Sequence, residues 1–267
     1  MAGKRRLKST LLCIGLMVIC MTGCGAPKEF KGLSLSIFGD SISTYEGYIP
    51  KEFGIFYPIS GEVTDVSQTW WMRLLDDTGM ELCANNSSSG STCVGDSLSV
   101  DNPKYGCSGY RVSALTGKKG KMPDVIIIYM GTNDLLTNVP LGYNDGTELV
   151  EEGIIENFTD AYCLMLDKIE SDYPAARIYC CTLPPIGYWG TEGPYVDYEN
   201  SLGLTRDDYS ERIRIIAKNR GISVIDLDQC GIEVENLSEM TSDGVHFTPD
   251  GMQLLERAML DGMTDIE

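Results

Sequence analysis

The chain contains one histidine, His246, in the segment SDGVHFTPDG. Asp243 stands three residues before it, and Thr248-Pro249 follows, with proline at a position that favours the first turn of a helix. A tight turn ahead of such a helix can bring the carboxylate against the imidazole. A carboxylate at Nδ1 fixes the tautomer and stabilises the imidazolium that forms when Nε2 takes a proton. The bland alternative is a helix-opening turn in which Asp243 is only a local cap. A hydroxyl for such a base to activate stands far upstream, in FGDSIS: Ser41 follows a short apolar run, and Gly39 permits a tight backbone path there. Two further residues suit the negative charge that a serine attack creates. Gly90 in NNSSSGST offers an unobstructed backbone N–H, and Asn133 in GTND a side-chain N–H. Each alone suits an ordinary turn. Together, at the ends of successive strand-like runs, they suit nucleophilic catalysis.

Short apolar runs alternate with longer amphipathic stretches. Strands are expected over Leu33–Phe38, Met80–Ala84, Asp124–Met130, Arg177–Leu183 and Ile222–Leu227. The run DVIIIYM is the clearest of these, β-branched and suited to burial on both faces. Helices are expected over Gln68–Asp77, Val150–Asp172, Thr205–Arg220 and from Thr248 to about Leu260, with Gly79, Pro174 and Gly221 as stops. This alternation predicts an α/β fold, a parallel sheet covered by helices on both faces. Tyr45–Ser67 and Asn85–Met122 lack clear periodicity. Both follow strands, and loops at the carboxyl ends of parallel strands are where a ligand meets such a sheet.

Taken together, the four blocks resemble the SGNH (GDSL-type) hydrolase family, named for Ser, Gly, Asn and His in separated segments. The resemblance runs from about Leu33 to Leu260. It implies a three-layer α/β/α sandwich with a flavodoxin-like parallel sheet. It puts Ser41 at the nucleophile, the N–H groups of Ser41, Gly90 and Asn133 at the oxyanion hole, and Asp243 and His246 at the D-x-x-H block. The first block reads GDSI where the family has GDSL. The literal string Gly95-Asp96-Ser97-Leu98 is a decoy, because no strand precedes it and it follows the glycine block. The implied chemistry is transfer of an acyl group to water, without cofactor or metal. No C-x-x-C pair is present, and one histidine makes a mixed-ligand zinc site implausible.

The beginning of the chain reads as a delivery signal. Lys4, Arg5, Arg6 and Lys8 precede an apolar stretch, Leu11–Met21, too short to span a bilayer as a stable helix. Met-Thr-Gly-Cys then resembles the end of a bacterial lipoprotein leader, which implies a signal peptide over 1–23, lipidation at Cys24, a tether over 24–30 and one hydrolase domain over 31–267. The protein is then expected outside the cytoplasm at the bacterial cell surface, touching the membrane only through its lipid anchor, or secreted where the leader is an ordinary secretory signal and Cys24 is incidental. Of the remaining cysteines, Cys93 and Cys107 share a polar loop and are candidates for a disulfide. Cys163, Cys180 and Cys181 read as buried small hydrophobes.

The 267 residues carry 39 acidic and 21 basic side chains, a formal charge of −18. Removing the four basic leader residues leaves 17 against 39, or −22. Such a chain repels nucleic acid over long range. The aromatic loop residues Tyr45, Tyr48, Phe53, Phe56, Tyr57, Tyr188, Trp189 and Tyr195 suit stacking on sugar rings better than enclosing an acyl chain. The expected substrate is therefore a small-molecule or polysaccharide ester, foremost an O-acetylated carbohydrate. A short-chain lipase, a lysophospholipase or a thioesterase is the alternative. A glycan-binding relative without catalysis is an alternative of another class.

Overall fold

The five central strands are all parallel: β1 (Ser34–Gly39), β2 (Glu81–Ser87), β3 (Val125–Tyr129), β4 (Arg177–Cys181) and β5 (Ser223–Ile225). They line up in the order β2-β1-β3-β4-β5, the flavodoxin-like arrangement. The computed structural model describes residues 29–190 and 193–264. The leader, Cys24 and most of the expected tether lie outside the described residues.

β1 and β3 are buried along their whole length, as a strand covered by helices on both faces must be. In β1 the buried Ser36 hydroxyl donates to the Leu115 carbonyl at 2.7 Å. β2 lies at the edge and is exposed at Glu81 but buried from Asn85 to Ser87. Four long helices cover the sheet: α1 (Trp70–Thr78), α2 (Phe158–Asp172), α3 (Arg206–Arg220) and α4 (Pro249–Thr264). α1 packs on α4, and α2 on α3.

The helix limits follow from their caps. Thr69 Oγ1 accepts the Met72 N–H at the start of α1, and Gly79 closes it in the left-handed region at φ 72°. Thr205 and Asp208 form a capping box at α3. Trp70 and Trp71 are both buried. α2 is the main departure from expectation, beginning at Phe158 instead of Val150. Asn157 caps it by accepting the Asp160 N–H. Ahead of that cap, Ile154–Ile155 pairs antiparallel with Gly95–Asp96. Ile154 and Ile155, which mimicked helical spacing, belong to this small sheet.

Other features escaped the periodicity reading because they are short. They include helical turns at Gly109–Ser113 and Thr132–Leu136 and a hairpin of Gly187–Gly190 with Gly193–Asp197. The candidate disulfide is absent: Cys93 and Cys107 are free, buried thiols. Their backbones are hydrogen-bonded at 2.9 Å, but the Cys107 thiol is directed to the Gly95 carbonyl. Burial pushes the Cys107 thiol up to about 12.

Candidate active site

Strand register builds the site. Gly39 of β1 lies opposite Ser87 of β2 and Tyr129 of β3. Ser41, Gly90 and Asn133 follow these three positions by two, three and four residues, so all emerge just beyond one sheet edge. At Gly39 a side chain would have no room: a Cβ would stand 2.8 Å from Ser87 Oγ and 2.9 Å from Ser43 Oγ. This close approach is what requires glycine directly before the Asp40-Ser41 turn.

Ser41 opens a single helical turn, Ser41–Ser43, capped by Asp40 Oδ1 accepting the Ile42 N–H at 3.0 Å. Trp70 Nε1 donates to Ser43 Oγ at 3.1 Å, and Asn85 Nδ2 to the Ser43 carbonyl at 2.8 Å. The turn is thus fixed from α1 and from β2. Burial raises the Asp40 carboxyl to about 6, against the pull of the Ile42 N–H, His246, Thr132 and Arg111.

His246 arrives from the loop before α4. Asp243 Oδ1 accepts the Val245 and His246 backbone N–H groups at 3.0 and 2.8 Å, and Oδ2 meets His246 Nδ1 at 2.7 Å. Nε2 of the same ring lies 2.9 Å from Ser41 Oγ. With the Nδ1 proton directed at a carboxylate, Nε2 is the acceptor for the serine proton. Burial pushes Asp243 up, but the hydrogen bonds from the His246 ring and backbone outweigh it and leave the carboxyl below its ordinary value. It stays ionised at neutral pH. Gly244, at φ 89°, completes the turn and lies so close to the hairpin that a Cβ would collide with the Gly187 carbonyl. The Gly187 N–H in turn donates to the Gly244 carbonyl at 2.9 Å.

The other two blocks face the same edge. Asn133 Nδ2 donates one N–H to the Ser91 carbonyl at 3.0 Å, leaving the second available. The amides of Ser43, Ser88 and Ser91 are bonded to backbone carbonyls, whereas those of Ser41 and Gly90 meet no backbone acceptor among the described residues. Gly90 has φ 72° and is exposed. Three donors without internal partners next to a hydroxyl–imidazole pair can accept a developing oxyanion.

Ser97 is placed elsewhere. Its hydroxyl accepts the Gly153 N–H at 2.8 Å and its carbonyl accepts Lys168 Nζ at 3.0 Å. It stitches the small sheet together, 2% exposed, and the chain's one histidine is bonded to Ser41.

Two supporting residues had no sequence signal. Asp134, fully buried, accepts the Cys93 N–H at 2.8 Å and the Val94 N–H at 3.3 Å, holding the segment that leaves Gly90. Burial raises its carboxyl to about 7. Arg111, also fully buried, donates from Nη2 to the carbonyls of Gly39 at 3.1 Å and Asn86 at 2.9 Å, and from Nε to Asn86 Oδ1 at 3.1 Å. Nη1 reaches the Pro103 carbonyl. One guanidinium therefore joins the ends of β1 and β2 to the following loop. GTND marks Asp134 only as a turn residue, and nothing about Arg111 announces burial. The aromatic loop residues divide: Phe53 and Tyr57 belong to the core, whereas Tyr48 and Tyr188 are 40% and 50% exposed.

The model of the GDSL-like lipase/acylhydrolase family matches residues 33–184, more than half of the chain. That span contains Ser41, Gly90 and Asn133. Among solved structures, the chain is similar to a candidate GDSL-like lipase from Bacteroides uniformis, with 25% identity over 88% of this chain and 97% of that one and a TM-score of 0.64. A second, from Bacteroides ovatus, is 25% identical over 88% and 100%, with a TM-score of 0.62. The fold is shared with a family two carbohydrate esterase from Clostridium thermocellum, solved with cellohexaose. That protein is 17% identical over 88% of this chain and 65% of its own, with a TM-score of 0.53. No curated protein matches the chain. The chain belongs to the GDSL-like lipase/acylhydrolase family and is an ester hydrolase.

Proposed function

We propose that the protein is a serine esterase that removes O-acyl groups, foremost O-acetyl groups, from carbohydrates through an acyl-enzyme on Ser41. The hydrogen-bonded line Asp243–His246–Ser41, at 2.7 and 2.9 Å, carries this reading. His246 Nε2 takes the Ser41 proton as Oγ attacks the ester carbonyl. Asp243 stabilises the imidazolium, and the same proton is delivered to the departing sugar oxygen. Water then attacks the acyl-enzyme by the reverse proton route and releases the acid. The amides of Ser41 and Gly90 and the second Asn133 N–H hold the oxyanion in both steps.

The sugar preference rests on surface character. Tyr188, half exposed, sits on the hairpin whose Gly187 N–H is bonded to the Asp243–His246 turn, and it packs edge-on against Tyr198 at 6.0 Å. Aromatic faces of this kind suit the C–H faces of a pyranose. The same fold carries a carbohydrate esterase. In this reading the leader and a lipid on Cys24 hold the enzyme at the bacterial surface, where polysaccharides are encountered.

Initial rates on chromogenic esters of increasing acyl length, with acetate release from acetylated xylan, test the substrate. Highest kcat/KM on acetate together with release from xylan is the expected outcome. A rate that climbs steadily from acetate to octanoate would instead select the lipase alternative. Binding of acetylated xylan without turnover of any ester would select the glycan-binding alternative. Asn133→Ala should lower kcat by about 10²–10³-fold if its N–H holds the oxyanion. Undiminished kcat in that variant removes the role.

A further inference from the structure

His246 has a third neighbour besides Ser41 and Asp243. The Phe56 ring lies flat on the imidazole, with ring centroids 3.5 Å apart and planes 7° from parallel. Tyr57 stands edge-on to the same imidazole at 6.4 Å and to Phe56 at 4.8 Å. Phe56 comes from the loop between β1 and α1, which the periodicity of the chain left unassigned.

That loop is tied to both catalytic turns. The Phe56 N–H donates to Thr44 Oγ1 at 2.9 Å, and the Thr44 hydroxyl donates to the Ser41 carbonyl at 2.9 Å. On the other side, the Tyr57 hydroxyl donates to the carbonyl of Phe247, the residue after His246, at 3.1 Å. Two turns separated by 205 residues are thereby held through Phe56 and its neighbours. The ring's placement is locked from both ends.

We infer that Phe56 is a positioning residue for His246. It acts through the imidazole, so the inference rests on the Ser-His-Asp reading. Its face closes one side of the ring and prevents rotation about the Cα–Cβ and Cβ–Cγ bonds away from Ser41. The π-face also carries partial negative charge, which favours the imidazolium formed during each proton transfer. The charged and titratable groups around His246 are Asp243 at Nδ1, the buried Asp40 carboxyl, and the Tyr57 phenol. None of them changes on substituting Phe56.

The test uses the fact that His246 is the chain's one histidine, so its ring signals in NMR are unambiguous. Phe56→Leu and Phe56→Met remove the aromatic face while keeping an apolar side chain, and Phe56→Tyr restores it. Far-UV circular dichroism and thermal melting establish that each variant is folded. In the Leu and Met variants the His246 titration midpoint should move to lower pH, and the acidic limb of kcat/KM should move with it. kcat should fall about 5- to 30-fold, the equivalent of a desolvated cation–π contact, with KM little changed. Phe56→Tyr should retain the parent midpoint and kcat. An unmoved midpoint in a folded non-aromatic variant overturns the inference, whatever kcat does. Failure of the esterase reading is distinguishable, since it appears as Ser41→Ala retaining turnover while the titration result is unaffected.

Discussion

Ser41→Ala is expected to lower kcat on a chromogenic acetate ester by roughly 10⁴–10⁶-fold, with thermal stability unchanged. The hydroxyl is bonded to His246 Nε2, so its removal leaves no buried carbonyl or amide without a partner. What disappears is the covalent route itself. A triad loses nearly everything with its nucleophile, and the remaining rate comes from the oxyanion donors and substrate binding. Ser97→Ala is the matched control. Its hydroxyl serves the Gly153 N–H, so the change should cost about 1 kcal/mol of stability and leave kcat unchanged. Initial rates and melts of the two variants, measured side by side, check both expectations. Equal turnover by Ser41→Ala and the parent would defeat the assignment.

Arg111→Met is expected to have the largest effect on stability. The substitution keeps much of the apolar stem against Phe38 and Phe53, over which the guanidinium now sits at 4.7 and 5.5 Å. It removes every donor. The two Asn86 oxygens then lose their bonds in the buried interior, and the Pro103 carbonyl loses one at a half-buried position, at about 1–3 kcal/mol for each buried group left unsatisfied. A loss of roughly 3–5 kcal/mol follows, or a fall in Tm of roughly 6–20 °C. Burial pulls the guanidinium down to about 9, which still leaves it charged at neutral pH. Arg111→Lys should not rescue, because one ammonium on a longer, unforked stem cannot reach oxygens on three segments. Calorimetric melting of the three proteins decides this. A Tm for Arg111→Met within a degree or two of the parent would show that the oxygens find other donors. Activity well below the melt should also fall, since Gly39 and Asn86 position the approaches to Ser41 and Gly90.

The fold was legible where a segment's environment is uniform. The run DVIIIYM is covered on both faces, and its composition says so without reference to any neighbour. Helices α1 and α3 have their stops written locally in Gly79 and Gly221. α2 was misjudged at its start because Val150 and Ile154–Ile155 provide apolar spacing, while Ile154–Ile155 pairs with a strand more than fifty residues away. The Cys93–Cys107 pairing failed for a related reason. Proximity in a loop places two backbones together but does not aim two thiols at each other.

The chemistry of the site was legible because catalysis demands residue types with few substitutes. A single histidine with an aspartate three residues before it, a serine after one apolar run, a glycine and an asparagine after two others: these are written in the chain itself. Order along the chain already set Ser41, which follows a strand-like run and precedes the glycine block, above the literal GDSL string at Ser97, but it does not say how the blocks meet in space. Tertiary structure decided that through the parallel register that aligns Gly39, Ser87 and Tyr129, so that Ser41, Gly90 and Asn133 emerge together. It also decided the supports: Arg111 and Asp134 beneath the loops and Phe56 on the imidazole. Their importance lies in burial and in partners distant along the chain, and an arginine, an aspartate or a phenylalanine in a loop has neither until the chain has closed around it.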